Sequence, residues 1–408
     1  MKCRHCKREV TQSFVDLGAA PPSNAYLTLG DLSTPEVYYP LRVRVCTHCW
    51  LVQTEDFASA DELFSPQYAY FSSVSVSWLE HAAAYAQMII ERLHLNEASF
   101  VMEVASNDGY LLKNFVAAGI PCLGIEPTDS TATVAEDSGV SVLREFFGLV
   151  LAKRLKIDGK QADLIIGNNV LAHVPDINDF VAGLEAALKP GGSITLEFPH
   201  LMRLLEHTQF DTVYHEHFSY LSLSTIIRIF QSGGLRVYDV EELPTHGGSL
   251  RIYGCHRGDA RETSAAVHGL VQEESTRGLD KVDVYQEFQG RADRVKNDLL
   301  AFLIEQKRSG ASVAAYGAAA KGNTLLNYAG VKPDLLPYVC DAGSFKQDKF
   351  LPGTRIPILH PQALRERRPQ FVLILPWNIE REVTMQHDYI REWGGKFVTA
   401  IPALREVI

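Results

Sequence analysis

The chain has 408 residues, of which 46% are hydrophobic and 22% charged, which exceeds one ordinary core and predicts two or three globular domains. Its net charge of −10 argues against a general nucleic-acid binder, which carries a basic excess. The N-terminal MKCRHCKREV lacks the apolar core of a signal peptide, and no uncharged apolar run approaches membrane-spanning length, so a cytoplasmic protein without a membrane partner is expected. Its seven cysteines then read as thiols or metal ligands rather than disulfides.

The first segment, residues 1–75, holds Cys3-x-x-Cys6 and Cys46-x-x-Cys49. Each C-x2-C turn presents two thiolates to one ion, and two pairs complete a tetrahedral zinc site. The 39 residues between the pairs require a subdomain to fold between them. His5 and His48, inside the knuckles, are alternative ligands. Four cysteines leave no open position for water, so the zinc reads as a structural staple, and losing a cysteine should cost stability more than chemistry. A nucleic-acid-reading ribbon is the competing view. Its basic residues, Lys2, Arg4, Lys7, Arg8, Arg42 and Arg44, are offset by Asp16, Asp31, Glu36, Glu55, Asp56, Asp61 and Glu62.

From residue 77 the stretch SWLEHAAAYAQMIIERLHL has helical periodicity, and strands then alternate with helices. FVMEVA, CLGIEP, SVLREF, ADLIIGNN and SITLEFP read as strands, with a helix at DINDFVAGLEAALKPGG. LRVYDVEEL and GSLRIYGCHR read as two closing strands. This predicts a doubly wound α/β domain over residues 76–260. A charged amphipathic stretch, about 270–309, leads into a second α/β pattern: ASVAAYGAAAKGNTLLNYAG, LLPYVCD, QFVLILPWN and KFVTAIPAL. Residues 261–408 are therefore expected to form a C-terminal Rossmann-like domain.

VMEVASNDGYLL places a polar turn between a strand and a helix, where backbone N–H groups can approach a ligand. Glu126 ends the next strand, where an acid can take ribose hydroxyls, and Asn168 and Asn169 end the fourth. A plain Rossmann dinucleotide site is a rival. The arrangement resembles a class I S-adenosylmethionine methyltransferase, whose first strand is followed by E-x-G-x-x-x-G. Glu103 and Gly109 match that pattern, whereas Ala105 replaces the first glycine and suggests a slightly different turn. The resemblance implies Asn107, Asp108 and Gly109 at the methionine moiety, Glu126 on the ribose, and Phe146 or Phe147 near the adenine.

In FDTVYHEHFSY, Tyr214, His215, Glu216 and His217 follow one another without a spacer. A His-x-His metal site, an acid–base centre and an ordinary polar turn are the three readings. An extended strand would put Tyr214 and Glu216 on one face and both histidines on the other; a turn would break that pattern. In the C-terminal part, YGAAAKGNTLLN forms a small-residue turn suited to a diphosphate, with Lys321 as charge and Asn323 and Thr324 as donors. Lys346, Trp377 and Asn378 follow later strands and are candidates for closing over a nucleotide. An NAD domain is disfavoured, since neither G-x-G-x-x-G nor an obvious ribose acid is present.

The whole order, with YAYFSS, EVASNDG, NNVLAHVPD, YHEHFSYLS, THGGSLRIY and YGAAAKGNTLLN, resembles the sugar C-methyltransferases acting on nucleotide-linked 4-keto-6-deoxysugars. That resemblance implies a sugar-nucleotide substrate (dTDP or GDP left open), S-adenosylmethionine and structural zinc. It also implies active-site roles for Tyr214, Glu216 and His217, with Tyr70 and His173 facing the sugar. His246 and Arg251 are further substrate candidates. Carbon methylation beside a ketone needs a base and donors for the enolate oxygen. His217 is the expected base, Tyr214 and Tyr70 the stabilisers, Glu216 an orienting group, and His173 a second donor or alternative base. A monomer or homodimer is expected.

Overall fold

A computed structural model describes residues 1–57 and 71–407. Its N-terminal sheet begins with β1 (Gln12–Ala20), β2 (Tyr39–Val45) and β3 (Val52–Thr54), paired antiparallel in that order. Alternating burial along β2, with Leu41, Val43 and Val45 inward, gives this small module one apolar face.

The central sheet contains β4 (Val101–Val104), β5 (Cys122–Ile125), β6 (Val142–Leu143), β7 (Ala162–Asn168) and β8 (Leu188–Pro199), which run parallel in the order β6-β5-β4-β7-β8. β4 and β7 are buried nearly throughout, as expected of strands covered on both faces. The helix expected at DINDFVAGLEAALKPGG stops at Ala187, and LKPGG belongs to β8 instead. That helix, Ile177–Ala187, starts where Asp176 accepts from the N–H groups of Asn178 and Asp179.

β9 (Ser219–Tyr220) leaves the central unit and pairs antiparallel with β3 of the N-terminal sheet. β10 (Leu235–Leu243) and β11 (Ser249–His256) return as a hairpin, with β11 inserted antiparallel between β8 and β10. The charged stretch is not one helix; it divides into Ala265–Thr276, Asp283–Gln286 and Phe288–Ser309. Phe288 stacks on Phe14 of β1, with ring centroids 4.5 Å apart, so these helices also cover the N-terminal sheet.

The C-terminal sheet holds β12 (Val313–Tyr316), β13 (Val339–Cys340), β14 (Ile358–Leu359), β15 (Phe371–Ile374), β16 (Lys396–Thr399) and β17 (Arg405–Val407). Its order is β14-β13-β12-β15-β16-β17, with only β17 antiparallel. The order reverses between β12 and β15, which opens a crevice at their carboxyl ends. One apolar cluster runs from Cys3 through Leu196 to Ile401, so the three parts share a continuous core. No helix among the described residues is long and apolar enough to cross a membrane.

Candidate active site

The stretch 214–217 is a turn, closed by His217 N–H donating to Tyr214 O at 2.9 Å. This brings Tyr214 and His217 together, with ring centroids 3.9 Å apart, and separates the two histidines. His215 swings toward β2, its Nε2–H donating to Tyr39 O at 3.2 Å. The alternating faces of an extended strand do not occur here. His217 Nδ1 lies 2.8 Å from Thr212 O; a carbonyl only accepts, so Nδ1 carries the proton and Nε2 keeps its lone pair. His173 Nδ1–H donates in the same way to Glu216 O at 2.8 Å, and its ring meets His217 edge-on at 4.7 Å. Tyr70 lies outside the described residues.

Burial, reinforced by the neighbouring His173, holds the pKa of His217 well below the usual histidine range. Burial alone pushes His173 down to about 4. Both rings are therefore neutral near pH 7. His215 is also lowered by burial, as are His246 and His387, the last two to about 4. The unfolded chain binds protons at these sites first, at about pH 6.5. Asp211 and Glu103, both raised by burial, oppose the effect, two groups against five. The melting temperature is expected to fall as pH drops from about 6.5 toward about 4. A flat or rising melting temperature across that window would contradict it.

Glu216 is 2% exposed, and both its carboxylate oxygens accept from Asn24 Nδ2, at 2.8 and 3.0 Å. Asn24 was not legible as a site residue; a lone polar group after the Pro21–Pro22 turn was its only signal. The C-terminal domain closes the other side. Thr324 Oγ1–H donates to Val213 O at 2.9 Å, and Trp377 Nε1–H donates to Asp211 Oδ2 at 2.7 Å. Gly247, at φ 88°, lets that indole in: a Cβ there would sit 2.3 Å from Trp377 Cη2. Lys321 Nζ lies 4.8 Å over the same indole ring and donates to Asn378 Oδ1 at 2.7 Å. Burial lowers the Lys321 pKa, and Asp211 opposes this; the Asp211 carboxyl is itself raised to about 6 by burial. Lys321, Trp377 and Asn378 thus come together. Lys346 instead pairs with Asp341 at 3.3 Å.

Three more of the expected substrate groups have internal partners. Asn323, 1% exposed, donates its amide to Ser23 O. Arg251 is buried between Glu197 (3.0 Å) and Glu241 (3.2 Å), over the ring of Tyr85. The fully buried Glu197 also accepts from His81 Nε2 and Thr245 Oγ1, each at 2.9 Å. His246 Nε2 pairs with Asn169 Nδ2 at 3.2 Å and lies beside Trp78, 5.2 Å between ring centroids. The C-terminal domain does place an acid after its second strand: Asp341, whose oxygens accept from Ala318 N and Gly343 N, each at 2.7 Å.

At the carboxyl end of β4, the following loop turns through left-handed residues Ala105 (φ 58°), Asn107 (φ 50°) and Gly109 (φ 75°). Ala105 adopts the left-handed conformation that glycine favours, at a backbone cost of about 1 kcal/mol. Gly109 packs so closely that a Cβ would lie 3.1 Å from Ala135. Glu126 Oε2 accepts from Asn107 N at 3.0 Å, and Oε1 from Thr128 N at 2.9 Å. Glu103 is 0% exposed with Tyr110 beside it, and among the described residues Asp108 Oδ1 and Asn168 Nδ2 are buried without hydrogen-bond partners. Burial, then the adjacent Asp108 and Glu126, hold the Glu103 pKa well above the usual carboxyl range. The orphaned Asp108 acceptor and Asn168 donor, in a cluster of carboxyl groups, fit a cationic ligand with ribose hydroxyls, as S-adenosylmethionine is. Phe147 packs edge-on against Phe180 in the core, whereas Phe146 is 57% exposed after β6.

The Sγ atoms of Cys3, Cys6, Cys46 and Cys49 all lie within 4.8 Å of one another. A tetrahedral zinc with sulfur ligands at about 2.3 Å spaces them about 3.8 Å apart, so the four fit that ion. His5 is not among them; its Nδ1 bonds Asn178 Oδ1 at 2.8 Å, and His48 is exposed.

Three family models match consecutive parts of the chain. They are described as "Putative zinc binding domain" (residues 3–64), "Methyltransferase domain" (78–240) and "C-methyltransferase C-terminal domain" (244–402). The C-methyltransferase NovU of Streptomyces niveus is 34% identical over 406 residues, covering 100% of this chain and 96% of that protein. Magnesium protoporphyrin IX methyltransferase from Synechocystis, solved with bound S-adenosylmethionine, is 14% identical with TM-score 0.34, covering 44% of this chain and 79% of that one. An S-adenosylmethionine-dependent methyltransferase from Clostridium acetobutylicum is 11% identical with TM-score 0.35, covering 44% and 92%. With a relative matched along its whole length and a family model on each part, the chain belongs to the S-adenosylmethionine-dependent C-methyltransferases that carry an N-terminal zinc-binding domain.

Proposed function

We propose that this enzyme methylates C3 of a nucleotide-linked 4-keto-6-deoxyhexose through an enolate. The observation that carries this reading is the neutral His217, whose Nε2 lone pair is left available beside Tyr214 on a turn shared by three domains. When bound, S-adenosylmethionine supplies an electrophilic methyl group on a sulfonium centre. Glu126, Asn107, Asp108, Gly109 and Phe146 are the groups that would hold it. His217 Nε2 takes the C3 proton as the C–H electron pair moves toward the ketone, and Tyr214 donates to the oxygen that gains charge. Lys321, with Trp377 and Asn378, holds the diphosphate side of the substrate. Methyl transfer to a panel of dTDP- and GDP-linked 4-ketosugars, read by product mass and by the position of the new carbon, tests the reading. Methylation at oxygen, or of none of the panel, would refute it.

The two ligands are assigned to different domains. Lys321→Ala is expected to weaken sugar-nucleotide binding roughly 10- to 100-fold, the worth of a charged hydrogen bond, with little effect on cofactor. Glu126→Ala should do the reverse. Calorimetry in which Glu126→Ala weakens only the sugar nucleotide would overturn the assignment.

A further inference from the structure

We propose that Asn24 is a positioning residue for catalysis, fixing the Glu216 carboxylate from the N-terminal module; this rests on the turn at 214–217 being the catalytic centre. Glu216 is 2% exposed, so its charge depends on donors, and one Asn24 amide nitrogen reaches both oxygens at 2.8 and 3.0 Å. The loop that carries Asn24 is itself held on the C-terminal domain. Tyr26 O–H donates to Ala318 O at 2.6 Å, Asn323 donates to Ser23 O at 3.1 Å, and Leu27 N–H donates to Phe350 O at 2.9 Å.

The same module grips the backbone on the other side of the turn. Thr54 Oγ1–H donates to His217 O at 3.0 Å, and Arg4 Nε–H donates to Phe218 O at 3.3 Å. Arg4 sits between two zinc-binding cysteines, with its backbone N–H on Gln53 Oε1 at 2.8 Å. Side chain and backbone of the turn are thus fixed from one module, with Asn24 supplying the contact that touches a functional group. Losing it removes that hold on the carboxylate and, through Glu216 O on His173, loosens the pair of imidazoles.

An isosteric replacement separates positioning from folding. Asn24→Asp places a carboxylate against a carboxylate, so one of the pair must hold a proton for the contact to survive. Relative to wild type, kcat of Asn24→Asp should be roughly 10- to 100-fold down at pH 8 to 9 and recover as pH falls toward about 6, where a protonated carboxyl again donates. Asn24→Ala should be reduced similarly but stay reduced across that range. KM for the cofactor and zinc content should be unchanged in both. A wild-type kcat in Asn24→Ala, or an Asn24→Asp profile parallel to wild type, would overturn the proposal. If Asn24→Ala does not fold, the pH dependence of Asn24→Asp decides alone. Wild-type enzyme that neither exchanges nor methylates any 4-ketosugar nucleotide would instead remove the functional reading on which the proposal stands.

Discussion

Replacing His217 by asparagine is expected to abolish C3 proton exchange and methylation together, by the roughly 10²–10⁴-fold typical of a lost general acid–base group. In heavy water, deuterium should wash into C3 of the substrate with wild-type enzyme and not with the variant. The Nδ1–H bond to Thr212 O fixes the ring and its tautomer, so asparagine replaces the bulk while removing the basic Nε2. Because His217 is held well below the usual histidine range, the acid limb of kcat/KM should lie below about pH 6.5. His215→Asn provides the contrast. It loses the bond to Tyr39 O and so about 1 kcal/mol of stability, while exchange remains largely intact. A dead His215 variant, or near-normal exchange in His217→Asn, would move the base to His173, whose ring lies 4.7 Å from that of His217.

Removing the zinc is expected to have an equally large effect, on stability and chemistry at once. Structural zinc contributes on the order of 10–16 kcal/mol in small metal-dependent domains. Here the knuckles also support the active site. β3 pairs with β9 immediately after the turn at 214–217, and Gln53, in β3, donates to Cys3 Sγ at 3.3 Å. Cys46→Ser should therefore lower the melting temperature and reduce turnover even in the folded fraction. This differs from the purely structural effect that two isolated knuckles suggest. Elemental analysis should find one zinc per chain, and chelation should release it in step with activity. Purified active protein without zinc, with all four thiols freely titratable, would refute this.

Several features were legible because they depend on local chemistry. The two C-x2-C pairs declare a zinc site through ligand type and spacing. The β/α alternation declares two doubly wound sheets, since long buried strands and amphipathic helices differ in apolar period. His217, Tyr214 and the acid after β5 were identifiable as reactive residue types from their chemistry alone.

Other features depend on contacts between distant residues, which periodicity does not encode. The closure of Tyr214–His217 into a turn separates two histidines that sequence places two positions apart. β9 belongs to the sheet of β3 rather than to that of its neighbours in the chain. Arg251, chemically a good anion ligand, is committed to buried Glu197, and Asn24 reaches Glu216 across 192 positions. A buried charge takes whichever partner the packed chain brings within about 3 Å, so these assignments were decided by tertiary structure. Ligand type, strand and helix were written in the sequence by itself; which side chains meet was decided only when three domains closed on one turn.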